Sequence, residues 1–186
     1  TTPLEPVLAF MNDIEGVSAF QPIYTASLST QREKHEGFES DAEWGGSDEK
    51  LMKLQLQALA SGNPALEDMK TPGAAILLEG LNGPKFNIGE TITLYSVDGT
   101  EHTAEVKATV KYDGMHAELG YHVSGITLIT LNETLVAAVE DYDWARLAID
   151  VREEYYDRVF LTISRYLERL PLLQLQGMRE AIAARR

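Results

Sequence analysis

The chain has 186 residues, 44% hydrophobic and 24% charged, with a formal net charge of −13. That balance suits one domain of ordinary size, or a small domain with appendages. The acidic excess argues against nucleic-acid binding, which needs clustered Lys and Arg, and no apolar run approaches the roughly 20 residues that span a bilayer.

The chain has no cysteine, so neither a disulfide framework nor thiolate chemistry is available, and a cytoplasmic location is expected. Taken in order, TTPLEPVLAFMNDIEG at the start has an apolar patch but no basic flank, so it does not read as a signal peptide. Pro22 to Leu28 (PIYTASL) predicts one strand. Residues 29–49 are polar and mostly acidic around Gly45-Gly46, which predicts an exposed loop. Ser47 then reads as the N-cap of a helix from Asp48 to Ala60, stopped by Gly62 and Pro64. Residues 1–72 are thus expected to supply a strand, an acidic loop and a helix that pack on a β core.

That core is expected over 73–131. Asn82-Gly83, Asp98-Gly99 and Asp113-Gly114 recur at nearly equal intervals and supply the positive φ angles of tight hairpins. Around them lie Ala74–Gly80, an apolar strand, and Glu90–Ser96, with Ile92 and Leu94 on one face. In Thr103–Tyr112, Ala104, Val106, Ala108 and Val110 share a face, and a long strand is expected over 116–131. With the strand near residue 24 this makes five or six. The expected fold class is α+β, rich in β, with a small antiparallel barrel or half-barrel, a helical insertion and a long C-terminal helical tail.

Asp68-Met69-Lys70-Thr71-Pro72-Gly73 followed by AAILL is similar to the signature of PilZ domains, and FNIGETITL resembles the strand that follows it. Tyr121 to Leu128, leading into a helix at Asn132, looks like the end of a PilZ barrel. The resemblance covers residues 68–142 and implies a six-stranded barrel with a ligand site at Arg32, Asp68 and Gly73. PilZ domains commonly bind cyclic-di-GMP through an upstream Arg-x-x-x-Arg. Here Glu36 stands where the second Arg belongs, and Lys70 replaces the family's Ser. A carboxylate repels phosphate, so cyclic-di-GMP binding is not expected and no cofactor is implied.

Other chemistry is sparse. His102, His116 and His122 lack tight ligand spacing and read as surface or strand-edge histidines rather than a metal site. Asp143 reads as the cap of a second helix beginning at Trp144. No nucleophile elbow, phosphate loop or dinucleotide motif is present, so no catalytic residue is assigned and an enzyme is not expected.

From Asn132 to Leu170 there is no Gly or Pro, which predicts helix, and residues 132–186 are expected to form C-terminal helices. Leu147, Val151, Tyr155, Val159, Ile163, Tyr166 and Leu170 fall at spacings of four and three, one apolar stripe. The helix either folds back on the barrel or projects and buries its stripe against a protein partner or a second copy. The expected function is a non-enzymatic β-barrel module acting through protein contacts, a PilZ-like regulatory adaptor. The competing class is a structural subunit of a larger assembly such as a virion or secretion machine, with a cyclic-di-GMP receptor or small metal-dependent enzyme behind both.

Overall fold

The structure is a computed structural model that describes residues 3–32, 39–80, 83–121 and 125–170. In chain order come α1 (Leu4–Asn12), β1 (Val17–Leu28), β2 (Ala42–Gly45), α2 (Glu49–Leu56), β3 (Ala74–Glu79), β4 (Thr91–Tyr95) and β5 (Glu101–Lys111). After these run α3 (Gly114–Glu118), β6 (Ile126–Ile129), α4 (Asn132–Ala138), β7 (Asp143–Val151) and α5 (Tyr156–Leu167). The chain divides into two compact units. The larger is Ile23–Tyr112 with Tyr121–Arg146. The smaller is drawn from Thr1–Pro22, Asp113–Gly120 and Leu147–Arg186.

The expected antiparallel barrel is corrected to a single open, mixed sheet of seven strands in the order β4-β5-β3-β6-β2-β1-β7. β4 and β5 form the hairpin read at Asp98-Gly99, with Thr93 opposite Thr103. Gly99 sits at φ +85, and Ser96 N–H donates to Thr100 O at 3.0 Å across the turn. The other two dipeptides do different work. β3 and β4 are not paired, and β3 instead runs parallel to β5 and antiparallel to β6. Of Asn82-Gly83, Asn82 lies outside the described residues. Asp113-Gly114 opens α3, where the Asp113 carboxylate accepts from His116 N–H at 3.1 Å. A turn-forming dipeptide is also a helix start, and here the cap takes precedence over the hairpin. The long strand expected over 116–131 is therefore reduced to β6. One antiparallel bridge, Ser29 with Tyr95, joins the end of β1 to the end of β4. Among the described residues no ladder extends from it, and the sheet is open.

Both faces of the sheet in the larger unit are covered, which explains the unbroken apolar runs of β3 and β6. On β3, Ala75 and Leu77 enter one core with Trp44, Leu94, Leu128 and Leu135. Ala74, Ile76 and Leu78 enter the other with Met52, Met69 and Ile129. β5 does not keep its apolar residues on a single face. The β3–β5 register slips between Ala75 and Ile76, so that Ala75 faces Val106 and Ile76 faces Ala108. An extra residue, Lys107, reverses the pleat. Ala104 and Val106 thus enter the first core, Ala108 and Val110 the second.

Residues 29–49 are not all exposed loop. Ala42 and Trp44 are buried in β2, which lies between β1 and β6. Glu43 tolerates this place because its carboxylate accepts from Thr25 Oγ1 at 3.1 Å. The helix that follows starts one residue later than expected, with Asp48 accepting from Leu51 N–H at 3.1 Å.

The long C-terminal helix is also corrected. α4 ends at Ala138, and Val139 turns extended at φ −130, ψ 130. Asp143 then begins β7 rather than a helix. The absence of Gly and Pro permits a helix but does not require one. Trp144, Ile149 and Val151 suit a pleated surface, and pairing within a sheet overrides a weak helical preference.

Candidate interaction surface

Arg32, Asp68 and Gly73 are each engaged in local structure. The Arg32 guanidinium lies 5.8 Å from the Tyr95 ring centre. Asp68 accepts from Ala65 N–H at 2.8 Å and so caps the 3-10 turn Leu66–Lys70. Gly73 stands at φ +75 where a Cβ would meet Thr103 O at 2.9 Å, and its carbonyl accepts from Glu105 N–H at 2.8 Å. Its glycine is a requirement of the β3–β5 approach. Lys70 pairs with Glu67 at 3.0 Å, which raises the pKa of its exposed ammonium. Glu36 lies outside the described residues.

The histidines are spent separately. His102 sits between Ser96 Oγ (2.7 Å) and the Ala138 carbonyl (3.1 Å). His116 is fully buried beside Asp113, and His122 lies outside the described residues. No three acidic or histidine side chains among the described residues gather as a metal site.

The residues read as a single helical stripe are distributed over three elements. Leu147 and Val151 are half-buried on β7. Tyr155 stands in the short turn Glu153–Tyr155 and donates to Glu15 Oε1 at 3.1 Å. Val159 and Ile163 are the buried residues of α5, and Tyr166 stacks on Phe10 of α1 with ring centres 3.8 Å apart. Leu170 N–H closes the end of the helix on Leu167 O at 2.9 Å. Part of the stripe therefore meets α1 of its own chain.

Beside that stacked pair a groove of about 270 Å³ opens in the smaller unit, lined by Phe10, Asp13, Ile14, Glu15, Arg158 and Thr162. Phe10 and Ile14 supply its apolar lining, and Asp13, Glu15 and Arg158 its charged lining. Asp13 and Glu15 lie on the α1 side, while Arg158 on α5 leans 5.5 Å from the Tyr155 ring. The approach of the two elements is fixed at Gly16 (φ +98), where a Cβ would lie 2.4 Å from Tyr155 Cβ. Arg152 N–H donates to Gly16 O at 2.8 Å. Neither α1 nor the groove is apparent in the sequence reading. The signal for α1 is the pair Val7 and Met11, four apart and both buried.

No family model matches the chain, and no curated protein matches it. Among solved structures it is similar to the extracellular domain of the noncanonic ABC-type transporter YknZ from Gram-positive bacteria. That match is 12% identical, covers 83% of this chain and 76% of that one, and has a TM-score of 0.48. It is also similar to the periplasmic region of MacB from Actinobacillus actinomycetemcomitans. There the identity is 12%, the coverage 87% and 71%, and the TM-score 0.47.

The PilZ resemblance is corrected by the sheet. It implies a six-stranded barrel, and the described strands form one open mixed sheet of seven. With it go the PilZ-like adaptor and the cyclic-di-GMP receptor, and neither similar structure is described as a virion or secretion-machine subunit. The cytoplasmic expectation rested on the lack of cysteine alone and is withdrawn; the two similar regions are described as extracellular and periplasmic. No helix among the described residues is long and apolar enough to cross a membrane.

Proposed function

We propose that this chain is a non-catalytic module of a membrane transport assembly, working outside the cytoplasm and meeting protein partners through the α1–α5 groove. The observation that carries the reading is the division of the chain. α1 and α5 lie in the same small unit, and the whole of the larger unit lies between them in sequence. An insertion of this form suits a module borne on a larger protein. The descriptions of YknZ and MacB supply the compartment and the class of assembly adopted here. The chemistry agrees, because Arg32, Asp68, Gly73, His102 and His116 are each engaged in local contacts.

The test is topological. In cells carrying the tagged natural protein, protease added from outside should cut this region as soon as the outer barriers are opened, while a cytoplasmic marker stays whole. Protection equal to that of the marker would overturn the reading. Crosslinking should also recover an ATP-hydrolysing transport subunit with it.

A further inference from the structure

The groove carries opposite charges on opposite walls. Asp13 and Glu15 stand on one side and Arg158 on the other. Neither Asp13 nor Arg158 has an ion-pair partner among the described residues. Three residues along α5 from Arg158, one turn on, Leu161 is 51% exposed. It is the one large hydrophobic of the smaller unit that stands exposed among the described residues. Acidic residues on one element, a basic residue on α5 and an exposed leucine one turn along that helix form a surface that can complement itself under a two-fold rotation. In an isologous contact whatever residue i meets on j, j also meets on i.

We propose that the occupant of this groove is a second copy of the chain. Leu161 of each copy seats between Phe10 and Ile14 of the other, and Arg158 of each faces Asp13 and Glu15 of the other. A chain of net charge −13 repels its own copies over most of its surface. That repulsion favours the place where opposite signs meet and penalises other registers. This inference rests on the reading of the groove as a contact surface, and it names the partner.

The test is solution mass by light scattering behind size exclusion, over a concentration series at low salt. The unaltered chain should move from 20.6 kDa to twice that mass as concentration rises. Leu161→Asp and Arg158→Glu should each weaken the dimer about tenfold or more, the loss expected of an interface anchor. Asp13→Arg combined with Arg158→Glu should restore much of it, because the reversed charges still meet across the two-fold axis. A chain monomeric at every concentration, a dimer indifferent to Leu161→Asp, or a reversed pair that fails to recover would each overturn the proposal. Should Leu161→Asp unfold, Arg158→Glu carries the same test from an exposed position. The mass reads this inference alone, whereas protease access reads the proposed function alone, so the failure of one is distinct from the failure of the other.

Discussion

Asn132→Ala should destabilise the larger unit by an amount that can be worked from one junction. Asn132 opens α4, and its Oδ1 accepts from Tyr24 N–H of β1 at 2.9 Å. Its own N–H donates to Ser47 O at 2.9 Å, and Gly46 N–H donates to Tyr24 O at 2.8 Å. Alanine keeps both backbone bonds and removes the side-chain acceptor. Tyr24 N–H is then left without that partner in a half-buried place, which costs about 1–3 kcal/mol. For a chain of this size about 1 kcal/mol lowers the melting temperature by about 2–4 °C, so a fall of roughly 2–12 °C is expected by calorimetry. Asn132→Asp keeps an oxygen at the same position and should lose much less. Equal losses in the alanine and aspartate variants would refute the argument, because the effect would not then belong to the acceptor.

Val159→Glu should unfold the smaller unit, since Val159 is 1% exposed and an unpaired carboxylate there costs several kcal/mol. Loss of amide-exchange protection across α1 and α5, before any change in β3 and β5, is the expected pattern. Gly99→Val places a β-branched residue at φ +85 and should cost about 1–3 kcal/mol of strain, read as a lower urea midpoint. An unchanged midpoint would remove the positive φ from the hairpin. The exposed Asp98 carboxylate accepts from the Thr100 side chain and backbone, which holds its pKa below the ordinary 3.8. A depressed folded pKa means the turn is supported above about pH 4 and loses that support as pH falls through the folded value. Chemical shifts of Thr100 should therefore titrate on the acid side of 3.8, and Asp98→Ala should abolish the titration.

Where pattern and burial coincide, the sequence was legible. Ile92 and Leu94 of β4 alternate with threonines, and the Asp98-Gly99 turn needs nothing beyond its own residues. Elsewhere the decisive partner is distant. Trp44 lies in an acidic stretch that reads as loop, and its burial depends on β1 and β6 arriving on either side. β5 has a perfect alternation that the bulge at Lys107 divides between two cores, and one strand alone carries no trace of that slip. β7 passes for helix because its apolar residues also satisfy a helical spacing. The groove brings together residues near 13 and near 158, so no local window could contain it.

The order of strands in the sheet also governs when the fold can form. Only β4 with β5 and β1 with β2 pair with a neighbour in sequence. β2 lies against β6, Ala42 opposite Ile126, and β3 lies between β5 and β6. Closing such long loops costs entropy before any contact repays it, and topologies rich in distant contacts fold slowly. During synthesis β2 has no partner on one side until β6 has left the ribosome, and β3 lacks both of its neighbours for much of that time. The nascent chain therefore exposes AAILL and the Trp44 strand to solvent in the interval, and a holding chaperone would find its binding site there.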